Sequence, residues 1–443
     1  MKAFVKKIMI CIYRILNVLL PKSSRIVVFS SSNGKNTGGN PRAIYEYAAA
    51  SSENGDQKTG KYWFVWFLTD ELLRKHPEKA EKLKYVNEKK SEASKTADAR
   101  TAHCKIVRYG HPAYYWYMAR AGIWIFDSRQ EPYISKRPGV RYLQTWHGTP
   151  LKKLGLDIDE MNMSGENRNI EEYREAFRRE AAQWDYLIAQ NSFSAETFRR
   201  CFDFHGEMLK TGYPRNDELV RAAKADTKEN SKENVPGDRQ NEFKRDAKAG
   251  TTSSKRVLLY APTWRDDKYL NGGWYAYSSP LDFNKLYEML GDGFRIIIKP
   301  HYLVKIKDGD LPKELIDKGF LKVCSQSDEI NGLYLQAAGL ITDYSSAMFD
   351  YNLLGRPMFF YAYDIEDYAE KLRGFYFDFV KEAPGPICRT TEELGNSVQE
   401  AFDRDNRKER YGERIRKFSE KYNTYDDGNA AKKAWNMVVK ASR

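Results

Sequence analysis

The sequence predicts an α/β protein built from two parallel-sheet halves, and three features carry that prediction. Short apolar runs rich in β-branched and aromatic residues alternate with stretches of helical periodicity from Arg25 onward. A second series of the same kind begins at Arg256, and a polar, charge-dense segment separates the two. Strands that are short, apolar almost throughout and separated by helices belong to parallel sheets covered on both faces.

Taken in order, the chain opens on an amphipathic helix. Phe4, Val5, Ile8, Met9, Ile12, Ile15, Leu16, Leu19 and Leu20 recur at helical spacing, Lys2, Lys6, Lys7 and Arg14 take polar positions, and Pro21 ends it. Arg14 stands near the middle of any span and Leu19-Leu20-Pro21-Lys22 offers no small-residue cleavage site, so neither a membrane-crossing helix nor a cleaved signal is expected. Two readings remain: a helix lying on an anionic membrane surface, or one packed on the protein's own core. Strands are expected at 25–30, 63–68, 105–109, 123–126, 141–146, 186–189 and 208–211, with helices at 41–50, 113–121 and 171–183. Residues 226–255 contain Val235 and Phe243 as their only large apolar side chains, too few to order a segment. The second series has strands at 257–261, 295–299, 339–342 and 358–361 and helices at 283–290, 330–337 and 347–354, and a charged helical region follows from about Thr391. The expected division is 1–22, 23–222, 223–255 and 256–443.

Composition narrows the partners. The 443 residues carry a net charge of +12, which favours an anionic partner: a phosphate-bearing substrate, a lipid surface or nucleic acid. Five scattered cysteines with no Cys-x-x-Cys pair point to a reducing compartment.

The chemistry-bearing residues cluster at strand ends. One strand ends in His147, Gly148 permits a tight turn, Thr149 suits an N-cap and Pro150 the first helical position, so a helix is expected to open there with Lys152 and Lys153 in its first turn. The imidazole then stands at the carboxyl edge of a parallel sheet, where such sheets bind ligands, and cations set against the helix dipole point to a bound anion. The competing reading is a core histidine satisfying a strand end. Arg265, Lys299 and His301 follow two further strands, and with His147 they describe a phosphate cradle with a general base. Asp343, Ser345 and Ser346 lie at a helix cap suited to phosphate, and Asp343 or Asp350 suits a ribose or sugar hydroxyl; plain N-capping needs only one of them. Arg373, beside a glycine and three aromatics, suits anion contact or surface packing. The loop at 30–41 lacks Gly-x-Gly-x-x-Gly and Walker spacing, and is expected to line the cleft. No cofactor is expected to be required, while Asp343 with Asp350 leaves a divalent ion open.

The runs Asn33-Gly-Lys35, Asn40-Pro-Arg-Ala-Ile-Tyr45, Gln144-Thr-Trp-His-Gly-Thr-Pro-Leu-Lys152, Gly212-Tyr-Pro-Arg-Asn216, Ala261-Pro-Thr-Trp-Arg265, Lys299-Pro-His301, Thr342-Asp-Tyr-Ser-Ser346 and Arg373-Gly-Phe375 resemble the CDP-glycerol glycerophosphotransferases, bacterial enzymes that build teichoic-acid-type polymers. The resemblance implies a GT-B arrangement, two Rossmann-like domains facing across a cleft, with the donor nucleotide held mainly by the second. It puts the catalytic base on His147 and a second essential histidine on His301. Donor and phosphate contacts fall on Arg265, Lys299, Asp343, Ser345, Ser346, Asp350 and Arg373, and the acceptor side or cleft takes Asn33, Lys35, Asn40, Arg42, Thr149, Lys152, Arg215 and Asn216. It also implies a peripheral protein at the cytoplasmic face of the cell membrane. The charged insertion at 226–255 and the lack of a long accessory region leave primase against polymerase open.

The expected reaction is attack by a hydroxyl of a lipid-linked acceptor, a polyprenyl-diphosphate saccharide or polyglycerolphosphate, on the phosphorus of CDP-glycerol that bears glycerol, with CMP leaving and no metal required. One alternative is a GT-B transferase using CDP-ribitol or a nucleotide sugar. Another, of a different class, is a non-catalytic binder of anionic polymer or nucleic acid; informative residues at strand ends rather than along one basic stripe argue against nucleic acid.

Overall fold

Apolar runs of four to eight residues pair side by side when helices cover both faces, and the computed structural model of the chain follows that rule twice. It describes residues 2–53, 62–84, 104–159, 169–232, 255–263, 269–270, 274–277, 280–300, 304–307, 309–325, 328–366, 374–403 and 409–440. The first sheet comprises β1 (Ser23–Ser30), β2 (Trp63–Leu68), β3 (Cys104–Arg108), β4 (Ala121–Phe126), β5 (Arg141–Gln144), β6 (Tyr186–Ala189) and β7 (Glu207–Lys210), in the order β3-β2-β1-β4-β5-β6-β7. Next come β8 (Arg256–Ala261), β9 (Tyr269–Leu270), β10 (Trp274–Ala276), β11 (Phe294–Ile298), β12 (Val304–Lys305), β13 (Leu321–Val323), β14 (Gly339–Thr342), β15 (Met358–Tyr361) and β16 (Ile387–Cys388). Six of these form the second sheet, β13-β11-β8-β14-β15-β16, and β12-β10-β9 form a small third one. All pairings within the two large sheets are parallel. Both follow the doubly wound plan, so each has a crevice at its carboxyl edge where strand order reverses: between β1 and β4, and between β8 and β14.

The helices that position the site are α1 (Lys2–Leu19), α2 (Gly39–Glu53), α3 (Pro112–Arg120), α4 (Ile170–Ala181), α5 (Ser192–Cys201), α6 (Asp217–Lys232), α7 (Ile330–Gln336), α8 (Ala347–Tyr351), α9 (Glu409–Tyr422) and α10 (Ala430–Lys440). One face of the first sheet packs Phe29, Trp66 and Ile125 against Tyr45 of α2 and Trp435 of α10; the other packs Phe67, Trp124 and Phe126 against Tyr114 and Met118 of α3 and Phe202. The last helix therefore returns to the first sheet, although its sequence lies beyond the second. A core under the second sheet includes Leu151 and Leu219 from the first half beside Tyr344, Phe349 and Tyr422, so apolar packing is continuous between the halves.

Helix α1 has two apolar faces. Tyr13 is buried and donates to the Ser135 carbonyl at 2.9 Å, with Met9, Leu16 and Leu20 packed on the first-sheet core. Ile8, Ile12, Ile15, Val18 and Leu19 stay exposed, Val18 at 77%. Among the described residues no helix is long and apolar enough to cross a membrane.

Two expectations are corrected. No helix opens at Pro150: the Thr149 hydroxyl donates to Gln190 Oε1 at 2.6 Å instead of capping, and the next residues run extended, with a β-bridge between Lys152 and Phe375. Lys152 and Lys153 therefore do not oppose a helix dipole, and that argument for an anion falls. The interdomain segment is also helical at its start, because α6 runs on to Lys232; the rest, 233–254, lies outside the described residues.

The chain crosses back between domains beside Asp426, whose carboxylate accepts from Gln190 Nε2 at 2.7 Å and the Tyr213 N–H at 3.0 Å. Burial raises its pKa from 3.8 to about 7, with the donors from Gln190 and Tyr213 opposing and Asp350 adding to the rise. The folded state therefore holds a proton that the unfolded chain releases between these values, and this group's contribution to stability is fullest below pH ~4 and is lost as pH rises through ~7. Asp426→Asn is expected to remove that fall, which reaches at most about 1.4 kcal/mol per pH unit; urea denaturation of both proteins from pH 4 to 8 measures it.

Candidate active site

At the first crevice, the β1 and β4 ends meet through Asp127. Its carboxylate accepts from Ser31 Oγ and the Ser32 N–H, both at 2.7 Å, and from Ser128 Oγ at 2.8 Å. Its carbonyl oxygen lies 2.9 Å from His147 Nδ1. A carbonyl only accepts, so Nδ1 carries the hydrogen and Nε2 of the neutral ring carries the lone pair. The ring is exposed and stacks on Trp146 at 4.6 Å between centroids.

A bulky residue before His147 adopts the left-handed region, Trp146 at φ 50°, a conformation that costs on the order of 1–3 kcal/mol and persists only where its surroundings impose it. They do so here. The Trp146 N–H donates to Gln144 Oε1, its carbonyl accepts from Asn40 Nδ2, both at 3.0 Å, and its indole packs against Phe198 and Phe202. Asn40 Oδ1 in turn accepts the Arg215 N–H at 3.2 Å. The reversal at Trp146 is what turns the imidazole out of the sheet.

The second crevice faces this loop. Thr263, past β8, donates its N–H and hydroxyl to Asp343, past β14, at 2.9 and 3.0 Å. Ser345 Oγ accepts the Ala347 N–H at 3.2 Å. Ser346 sits so close to the histidine loop that a Cβ on Gly148 would lie 3.1 Å from its hydroxyl, tighter than ordinary contact. Lys299, at the end of β11, donates to the Ser325 carbonyl at 2.9 Å. Burial pushes its ammonium pKa down, and the same cause acts on Lys79 across the cleft; Glu329 opposes the fall for both. Arg42 reaches Glu329 at 3.6 Å.

Arg215 bridges the two domains. Its guanidinium donates through Nε and Nη2 to Asp350 at 3.1 and 2.6 Å, and through Nη1 to the His147 carbonyl at 2.9 Å; Asn216 Nδ2 donates to the same carboxylate at 2.9 Å. Asp350 is thus engaged by the first domain, rather than standing open to a donor hydroxyl or a metal as the sequence suggests. Thr149 is buried, held among Gln190, Asn191 and Ser194. Lys152 takes part in the interdomain bridge, Lys35 is exposed, and Asn33 lines a cavity beside Asp127. Arg265, His301 and Arg373 lie outside the described residues.

A family model described as CDP-Glycerol:Poly(glycerophosphate) glycerophosphotransferase matches residues 12–440. The chain belongs to this family. It is 37% identical over 425 residues, 95% of its length, to the teichoic acid poly(glycerol phosphate) polymerase of Bacillus subtilis, and 33% identical over 433 residues to the teichoic acid glycerol-phosphate transferase of Staphylococcus aureus. It spans 50% of the first relative and 96% of the second. Among solved structures, that of the wall teichoic acid polymerase TagF superposes with a TM-score of 0.76 at 30% identity, covering 99% of this chain and 95% of that one. The GT-B arrangement implied by the sequence motifs is the observed one. Sequence reasoning did not single out Asp127, Thr263 and Lys79 as site residues. For Asp127 a signal existed: the last residue of Ile125-Phe-Asp127 follows a strand that the doubly wound order places at the switch point.

Removing either partner of the Arg215–Asp350 pair leaves a buried charge alone, so Arg215→Ala and Asp350→Ala are each expected to cost about 3–5 kcal/mol. The Arg215→Ala/Asp350→Ala double variant is expected to cost much less than the sum. Urea denaturation of the four proteins checks the cycle.

Proposed function

We propose that this chain transfers glycerol phosphate from CDP-glycerol to a hydroxyl of a lipid-linked acceptor and releases CMP. The observation that carries the reading is the imidazole whose Nδ1–H is tied to the Asp127 carbonyl, leaving Nε2 as a base where the two switch-point crevices meet. The acceptor hydroxyl gives its proton to Nε2 while its oxygen attacks the phosphorus bearing glycerol; the bond from that phosphorus to the oxygen of CMP breaks. Catalysis then rests on positioning and on fixed positive charge, as phosphoryl-type transfer requires. Lys299 and Arg42 supply cations from the described residues, and sequence assigns Arg265, His301 and Arg373 the same work on the donor side. The names of the Bacillus subtilis polymerase and the Staphylococcus aureus transferase support glycerol phosphate as the group moved.

The acceptor's lipid requires that the enzyme work at a membrane. The exposed row Ile8, Ile12, Ile15 and Leu19, at helical spacing with Lys7 and Arg14, favours α1 as the element that rests on the cytoplasmic face.

His147→Ala is expected to lower kcat at least about a hundredfold with CDP-glycerol binding within a few-fold of wild type; CMP release and calorimetric titration measure the two. Full activity in this variant rejects the mechanism. Ile12→Glu/Ile15→Glu is expected to weaken sedimentation with phosphatidylglycerol vesicles at least tenfold without lowering the thermal midpoint, because both side chains already face solvent.

A further inference from the structure

The last residue of β5 is an amide set into an apolar core. Side chains alternate along a strand, so Gln144 shares the face of Tyr142, which packs with Trp124, Phe126, Trp184 and Leu187. Gln144 is fully buried there, on a strand held between β4 and β6. Burying an amide costs free energy unless both of its ends are hydrogen-bonded, and here both are. Oε1 accepts the Trp146 N–H at 3.0 Å, and Nε2 donates to the Ser128 carbonyl at 3.3 Å. One partner can only donate and the other only accept, so chemistry fixes the orientation of the amide.

The two partners are the two supports of the imidazole. Trp146 is the left-handed residue that turns His147 out of the sheet; Asn40 holds its carbonyl and Gln144 its N–H, so both backbone polar groups of the strained residue are tied. Ser128 follows Asp127, whose carbonyl oxygen sets the His147 tautomer, and Ser128 Oγ donates to the Asp127 carboxylate at 2.8 Å. One side chain therefore sets the spacing between the loop after β4 and the turn after β5. Residues close to it in size do not replace it: methionine offers no donor, and an ionised glutamate has none for the Ser128 carbonyl.

Resting on the reading of His147 as the base, we infer that Gln144 is a positioning residue of the transfer. It holds the Asp127 carbonyl and the imidazole at one spacing, so that Nδ1 keeps the hydrogen and Nε2 keeps the lone pair for the acceptor hydroxyl. Buried and spent on these two bonds, it acts through His147 rather than on a substrate.

Gln144→Met keeps the side-chain length and removes both bonds. It is expected to lower kcat at least about tenfold while KM for CDP-glycerol moves less than about twofold. Gln144→Glu, which keeps the acceptor for Trp146, is expected to recover part of that loss. The readout that a merely structural role would not move is the ring itself. In NMR of protein labelled at the histidine ring nitrogens, with His147 identified by the signals lost in His147→Ala, wild type is expected to show a single tautomer hydrogenated at Nδ1 and Gln144→Met a mixture of both. A folded Gln144→Met with unchanged kcat, or with the single wild-type tautomer, overturns the assignment. If that variant does not fold, Gln144→Glu decides by the same measurements: a lowered kcat with a mixed tautomer supports the assignment, and wild-type values overturn it. Full activity in His147→Ala rejects the base instead, and the ring nitrogens still decide whether Gln144 positions the imidazole.

Discussion

The site depends on one guanidinium. Arg215 is held by a carboxylate of the second domain on two of its nitrogens and holds the His147 carbonyl of the first on a third. Its own N–H is gripped by Asn40, the residue that also fixes the Trp146 carbonyl. The side chain of Asp350 is only 6% exposed, so its charge is stable there only because Arg215 and Asn216 both donate to it. Domain contact, loop conformation and imidazole placement are thus one arrangement, and a change in any of the three is felt by the others.

Around that link, the two crevices are built alike. In each, the turn after one strand is tied to an aspartate after a neighbouring strand: Ser31 and Ser32 to Asp127 in the first domain, Thr263 to Asp343 in the second. These carboxylates are buried and spend their lone pairs on backbone and hydroxyl donors, which fixes the loops at the carboxyl edges. Residues that look chemical in the sequence therefore divide into those that face the cleft, such as His147 and Lys299, and those that hold it in shape.

Domain contact is not confined to polar groups. Phe193 of the first domain stacks edge-on against Tyr422 and Phe377 of the second, and the backbone at Leu151 and Lys153 exchanges hydrogen bonds with Gly374 and Tyr376. The run after Pro150 stays extended where residues 374–376 of the other domain supply its backbone partners. A proline after Gly-Thr is an ordinary helix start when only local signals act; here the pairing across the interface and the Thr149–Gln190 bond outweigh them.

The sequence by itself determined the two sheets and their helices, since runs such as Phe64–Leu68 and Gly339–Thr342 are buried on both faces and their apolar pattern is visible locally. It also determined which motifs stand at the carboxyl edges, because strand ends and turns are read from neighbouring residues. Tertiary structure alone decided which acidic and basic groups meet. Asp350 lies 135 positions from Arg215, and Trp435 lies beyond the second sheet yet completes the core of the first. Such pairings are set by how two domains dock and how the chain crosses between them, and nothing in the local spacing of residues encodes that geometry.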